Sequence, residues 1–409
     1  MGFGEILIYI VCYFGLLTSI YFLITLYENR KKFNTPKYKL FPFVSVIVPA
    51  YNEEKTIAKT IKSLKGLNYP KKKLQIIVID DGSTDSTYNI AKSFNGIEVY
   101  RKKNGGKSTA LNLGLKKARG EFVGALDADS FADKESLRRL VGYFNDKNIM
   151  AVTPSLQVYK PKSFLQKIQK IEYLISIFLR KIFSFLGSIH VTPGPFTIYR
   201  KEFFDRYGGY DENNMTEDIE IALRIQSKGY EIENSHNANV FTVSPYHFKP
   251  LLNQRLRWYL GFIENVYNYK FLFSPKFGNL GLIILPTAFI SAFLVILMMF
   301  YTLFTITKDI IKTILNYYNI RFDFLKIIDF KIDFFYLNME NYALLTLITL
   351  FIGIIILIVA KNIAREKQKI HYPYILYMLF YWFLFGFWWF GALFLKMFNK
   401  RIYWGQKKL

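Results

Sequence analysis

Four apolar runs of bilayer length limit what this chain can fold into: Ile6 to Tyr27, Leu280 to Ile306, Tyr342 to Ala360 and Tyr372 to Leu395. About 20 consecutive apolar residues cross a hydrocarbon core as a helix, because lipid offers no partner to a free backbone N–H or C=O. The first run is too long for the apolar part of a signal peptide, and no small-residue cleavage site follows it. Only Glu5 precedes it, whereas Arg30, Lys31, Lys32, Lys37 and Lys39 trail it, so the charge bias directs the following residues to the cytoplasm. The net charge of +23 raises nucleic acid as a partner, but the basic residues are spread along the chain and several flank apolar runs, where lipid head groups would meet them. Membrane lipids are therefore expected as partners, and nucleic acid is not. The one cysteine, Cys12, lies within the first run, which excludes a disulfide framework and a thiolate metal cluster.

Between the runs the pattern changes to short β-rich stretches alternating with helical ones. Val44 to Ala50, Leu74 to Asp80, Ile97 to Tyr100 and Glu121 to Asp127 read as strands; Glu53 to Leu67, Thr84 to Phe94 and Gly106 to Ala118 read as helices. Such alternation builds an α/β domain on a mostly parallel sheet, whose ligands gather at the carboxyl ends of the strands. In residues 163–187, Phe164, Ile168, Ile171, Ile175, Phe178, Ile182 and Phe185 recur at steps of three and four among Lys167, Lys170, Arg180 and Lys181. That describes a basic amphipathic helix. A core-facing helix has the same pattern; beside a membrane anchor, an interfacial helix on the inner leaflet is expected. The expected division is a spanning helix at 1–30, a cytoplasmic domain at 31–248, an interfacial segment at 249–278, a membrane region of three runs at 279–398 and a basic tail at 399–409.

Three strand ends are polar. In Gly124-Ala125-Leu126-Asp127-Ala128-Asp129 an apolar run ends in two carboxylates one residue apart, which alternation points the same way. Mg²⁺ or Mn²⁺ held by one or two carboxylates plus substrate phosphates suits that pair, although aspartates at a strand end also serve ordinary turns. Asp80 and Asp81 end another strand before Gly82, and a carboxylate there can accept from a base N–H or a ribose hydroxyl. Asn104-Gly105-Gly106-Lys107-Ser108-Thr109 looks like the end of a P-loop, but that motif needs glycine where Arg101 stands, which rejects an ATPase. What remains is a helix start whose N–H groups and Lys107 favour an anion. Thr216-Glu217-Asp218 opens a helix and reads equally as a cap. Gln254, Arg257 and Trp258 share one helix face, fit for a phosphate and a sugar ring or for anchoring in lipid.

As an ordered set these stretches resemble family 2 glycosyltransferases of the GT-A fold, in the membrane-embedded processive branch of hyaluronan, chitin, cellulose and poly-N-acetylglucosamine synthases. The likeness covers Val44 to Trp258 and runs through Pro49-Ala50-Tyr51-Asn52-Glu53-Glu54, Asp80-Asp81-Gly82-Ser83, Gly106-Lys107-Ser108, Asp127-Ala128-Asp129, Gly194-Pro195 with Tyr199-Arg200, Thr216-Glu217-Asp218 and Gln254-Arg255-Leu256-Arg257-Trp258. The resemblance implies transfer of a sugar from a nucleoside diphosphate donor to an acceptor hydroxyl with inversion. Ala50, Tyr51, Glu53, Asp80, Asp81, Lys107 and Asp127 would hold the donor. Asp127 and Asp129 would bind Mg²⁺ or Mn²⁺, Asp129 more directly. Asp218, beside Glu217, would be the general base. Gly194 and Pro195 would line the acceptor site, and Gln254, Arg257 and Trp258 would cap the donor pocket and stack on the acceptor.

The expected function is a multi-pass enzyme of the cytoplasmic membrane, extending a glycan from a UDP-sugar. A single addition to a polyprenyl phosphate or glycolipid is the alternative, and a channel with a nucleotide-sensing domain is a third reading. Four spans are few for a polysaccharide tunnel, which leaves room for a homo-oligomer or a partner subunit. The connector Lys361 to Lys369 carries four basic residues and one acidic, so it belongs in the cytoplasm. The count then puts the basic tail outside. Yet Tyr403-Trp404-Gly405-Gln406-Lys407 resembles a cytoplasmic gating segment of the same branch, a conflict that one re-entrant run would remove.

Overall fold

The computed structural model describes residues 2–36, 41–319, 341–366, 372–398 and 400, so the tail motif around Trp404 lies outside the described residues. After α1 (Phe3–Glu28) the chain alternates β1 (Val44–Ala50), α2 (Ile57–Lys65), β2 (Leu74–Asp80), α3 (Thr87–Lys92), β3 (Glu98–Arg101), α4 (Lys107–Lys117) and β4 (Phe122–Ala125). These are the elements expected from the sequence, except that α2 and α3 start about a turn later and β4 ends at Ala125, short of the expected Asp127. All seven residues of β1 are buried, as a parallel strand covered on both faces must be. Strands β3, β2, β1 and β4 are parallel neighbours in that order.

Beyond β4 the sheet is mixed. There follow β5 (Ser130–Ala132), α5 (Ser136–Val141), β6 (Ile149–Val158), α6 (Phe164–Phe185), β7 (Ile198–Arg200), α7 (Lys201–Tyr207), α8 (Glu217–Ser227) and β8 (Glu231–Thr242). Strand β7 enters antiparallel between β4 and β6, and β5 pairs antiparallel with β8. The parallel half is the part the alternation described; β7 and β5 hold three residues each, too few to show a period. In register, Ala50 lies opposite Asp80, and Ile47 opposite Ala125. The polar ends of β1, β2 and β4 thus share one edge.

Helix α6 lies between the sheet and the apolar helices. Its Leu174, Ile177, Phe178 and Ile182 are buried in a cluster with Phe22 of α1 and with Ala360 and Ile363 of α11 (Asn341–Ile363), and Ile171 is buried too, so this face meets protein. Helix α9 (Phe248–Asn268) leads through short turns to α10 (Leu285–Asn319), and α12 (Tyr372–Met397) closes the described chain. By length and composition α1, α10, α11 and α12 are each apolar enough to cross a membrane.

Candidate active site

At the end of β4, Leu126 donates its N–H to Ile47, and the chain turns so that the Ser130 N–H meets the Asp127 carbonyl. Asp127 and Asp129 line one cavity of about 830 Å³; because β4 ends at Ala125, it is this turn, not strand alternation, that aims both carboxylates into it. Burial, with the charges of Asp127 and Glu53 adding to it, pushes the Asp129 carboxyl up to about 7. Glu53 is also raised, first by burial and then by Asp127 and Asp85, against a hydrogen bond from Thr56 of 2.6 Å. Three carboxylates thus crowd one spot.

Lys107, the first residue of α4, crosses the cavity: its Nζ is 2.8 Å from Asp127 Oδ1 and 2.9 Å from Glu217 Oε1. Burial opposes its charge, but the two carboxylates hold it above the usual lysine range. Gly194 makes the crossing possible. A Cβ there would stand 2.7 Å from Lys107 Nζ and 3.3 Å from Asp127 Oδ2. Asp218, the next residue after Glu217, lines the same cavity, so the acids at 127, 129 and 218 share one chamber. Its backbone is fixed by Thr192, whose N–H and Oγ1 both donate to the Asp218 carbonyl, at 3.1 and 2.8 Å. Burial and the neighbouring Glu217 charge lift the Asp218 carboxyl to about 6, whereas Lys107 and Arg257 outweigh burial at Glu217 and hold it low. Two adjacent carboxyls are therefore driven apart, as an acid-base site requires.

Asp80 and Asp81 are placed differently. Asp80 pairs with Arg101 at 3.1 Å, and Asp81 with Lys102 at 2.5 Å. Asp81 also receives the N–H groups of Gly105 and Gly106, at 3.1 and 2.8 Å. The anion expected at this glycine-rich helix start is thus the protein's own carboxylate, because Asp81 follows β2 directly and reaches the loop first. Gly82 turns the chain there with φ +77°, and a Cβ would meet Asn104 N at 2.9 Å. Ala50, Tyr51, Asp80 and Asp81 stand beside the cavity at the ends of β1 and β2, while Glu53, Lys107, Asp127, Asp129, Gly194, Pro195, Glu217 and Asp218 form its wall.

Comparison with known proteins assigns this arrangement. Residues 45–208 match the family model described as glycosyl transferase family 2. The chain carries a family 2 glycosyl transferase domain. Poly-beta-1,6-N-acetyl-D-glucosamine synthase of Staphylococcus aureus strain COL is 33% identical over 224 residues, 53% of this chain and 54% of the relative. The Staphylococcus epidermidis enzyme of that name, from strain ATCC 35984, is 32% identical over 239 residues, 57% of this chain and 58% of its own. The chain thus spans a little over half the length of these relatives. Mannosyltransferase PcManGT from Pyrobaculum calidifontis, solved in complex with GDP-Man and Mn²⁺, superposes with a TM-score of 0.60 at 18% identity, covering 97% of this chain and 100% of that one. That likeness fixes the fold as GT-A.

In the glycosyl transferase domain the cavity continues past the sheet edge. Gln254, Arg257 and Trp258 of α9 line it, on the face their spacing gives. Arg257 donates to the Met215 carbonyl at 3.0 Å and keeps its charge close to Glu217 and Asp218. Arg255 faces the other way. It is 1% exposed, 2.6 Å from Glu172 Oε2 on α6 and 4.2 Å over the Trp258 ring, and so sets the indole. The far wall comes from α12, with Tyr377, Tyr381, Trp382 and Trp389. Sequence reasoning missed these aromatics, along with Glu172, Tyr173 and Arg180. The one signal was aromatics with polar tips at four-residue steps inside an apolar run. Among the described residues no three His, Cys, Asp or Glu side chains form a closed cation cage. Asp127 and Asp129 fit a divalent ion that takes its other ligands from a bound phosphate, because burial there concentrates negative charge a cation would relieve.

Proposed function

We propose that the chain is a membrane-bound inverting glycosyltransferase that takes a sugar from a UDP-sugar, with UDP-N-acetylglucosamine ahead of UDP-glucose, and adds it repeatedly to a glycan on the cytoplasmic side. The observation that carries this reading is the continuity of one cavity from Asp127, Asp129 and Asp218 to Tyr381, Trp382 and Trp389. Aromatic faces suit sugar rings, and their polar tips suit hydroxyls. Tyr381 Oη and Trp389 Nε1 are buried without a hydrogen-bond partner. Such an unmade bond costs about 1–3 kcal/mol, which a polyhydroxylated ligand would recover. The names of the staphylococcal relatives support N-acetylglucosamine as the sugar.

In the proposed reaction the acceptor oxygen attacks the anomeric carbon opposite the diphosphate, its proton passes to Asp218, and the bond to the leaving nucleoside diphosphate breaks. A carboxylate at about 6 is a stronger base than an ordinary one and still ionised at neutral pH. Lys107, held charged between Asp127 and Glu217, and Arg257 place positive charge beside the departing group. Asp127 and Asp129 would hold Mg²⁺ or Mn²⁺, which when bound offsets charge building on the diphosphate.

The test is a screen of nucleotide sugars on the purified protein in lipid nanodiscs, with Mg²⁺, Mn²⁺ or EDTA, reading nucleotide release and product length. UDP release that needs the metal, together with a ladder of products, is expected. A second reading, one sugar added to a polyprenyl phosphate or glycolipid, is favoured by a half-buried guanidinium in the cavity wall, Arg180, that pairs with no carboxylate among the described residues. Mono-glycosylated lipid as the sole product would replace the first reading with the second.

A further inference from the structure

Among the described residues, Arg180 is the one cationic side chain of the cavity wall that the proposed reaction leaves unused. It sits on α6 with its side chain surrounded by protein, and burial pulls its guanidinium down to about 10. It donates to Ser176 Oγ at 2.9 Å and, at a long 3.4 Å, to the Pro154 carbonyl. No carboxylate among the described residues forms an ion pair with it. A guanidinium carries five N–H donors in a planar fork, so three are left, and a buried charge without a counter-ion is destabilising. Ser176, one turn earlier, accepts from Arg180 and keeps its own hydroxyl proton to give; it lines the same wall.

The position points to the acceptor rather than the donor. Arg180 and Ser176 share the wall with Asp218, the carboxylate whose charge acts on Arg180, whereas Lys107 faces Asp127 at 2.8 Å. We propose that Arg180 and Ser176 form an oxyanion subsite for the first acceptor, so that the molecule that primes the glycan carries a phosphate or a carboxylate close to its reactive hydroxyl. This rests on the glycosyl-transfer reading and narrows its substrate class. A fork of N–H groups matches either oxyanion bidentately.

The experiment gives the full-length protein three acceptors: a polyprenyl-phosphate-linked sugar, a glucuronate-bearing trisaccharide and a neutral trisaccharide. Wild type is expected to favour one anionic acceptor in kcat/KM, and which one identifies phosphate or carboxylate. Arg180→Gln should lower kcat/KM for that acceptor about 30-fold or more, the range for losing one partner of a buried charge pair, and bring it near the neutral value. Arg180→Lys should restore part of the loss, since the charge stays and the fork goes. Equal losses on charged and neutral acceptors would make Arg180 structural and overturn the subsite. Weakened binding of UDP with Mn²⁺ by calorimetry would assign it to the donor, with the same consequence. Transfer to none of the three by wild type would sink the glycosyl-transfer reading instead. Acceptor binding, followed by tryptophan fluorescence, still decides the subsite: unchanged affinity of the phosphate-bearing acceptor and of the glucuronate trisaccharide in Arg180→Gln overturns it.

Discussion

On the proposed reading two side chains decide whether the cavity does chemistry. Asp218→Asn keeps the shape and hydrogen bonds of the site but removes the proposed base, so transfer is expected to fall by about 10²–10⁴-fold with donor affinity retained. A nucleotide-gated channel would keep its activity in the same variant. Because the base works unprotonated and burial lifts it to about 6, kcat/KM should be level above about pH 7 and fall roughly tenfold per unit below 6. Recording the profile at saturating metal separates this limb from that of Asp129, whose carboxyl a bound cation would pull down. Gly194→Ala probes the neighbouring contact. Its methyl would meet the end of Lys107, a flexible side chain that can retreat, so the melting temperature should barely move. Lys107 would leave Asp127, and displacement of about 1 Å is worth roughly 10²-fold in rate. The carboxylates were legible in the sequence because each ends a strand or opens a helix. The pairing of Asp81 with the glycine loop was not, since spacing does not say which anion reaches an N–H first.

Elements bring these residues together, and the seam between α6 and α9 is the sensitive one. Arg255 and Glu172 form a buried pair across it, with Glu172 at 21% side-chain exposure. Arg255→Ala leaves that carboxylate with neither partner nor full solvent, which costs about 3 kcal/mol, the lower end of the range for broken buried pairs. Joining it with Glu172→Gln should recover most of the loss in thermal melts. Sequence periodicity located α6 closely, whereas α9 was expected only within an interfacial segment at 249–278 and ends at Asn268. Neither reading showed the pair across the seam, so Arg255 read as one more basic residue in a motif. Gly261 shows why α9 fits so tightly: a Cβ would lie 2.2 Å from Thr216 Oγ1 at the start of α8. Two residues on sits Asp218, so the contact couples α9 to the proposed base.

At the scale of the whole molecule the four apolar helices are not alike. Gly4 of α1 packs on Tyr301 of α10, and Cys12 of α1 lies 3.9 Å from Thr346 of α11, while Phe22 joins the Ile284 and Ile363 cluster at the other end. These contacts pair matching ends of three crossing helices. Helix α12 breaks the pattern. Before it, Glu366 pairs with Lys170 of α6 at 2.8 Å; at its close, Lys396 pairs with Glu264 of α9 at 3.0 Å. Asn265, next to Glu264, bonds Thr216 at the start of α8 at 2.9 Å, so both ends of α12 are held beside the helices that wall the cavity. Gly391 against Leu256 and Trp388 against Phe248 extend that contact along α9. Composition does not separate a helix that lines an apolar cavity from one that crosses lipid, and α12 is apolar enough for either. If the contacts with α6 and α9 hold α12 on one side, Lys400 is expected on the same side as Lys160; the tail motif itself lies outside the described residues. In a Cys12→Ala background, Lys400→Cys and Lys160→Cys should react alike with a membrane-impermeant maleimide, in inverted vesicles and not in intact cells. Labelling of Lys400→Cys alone in intact cells would make α12 a true span and return the tail to the far side.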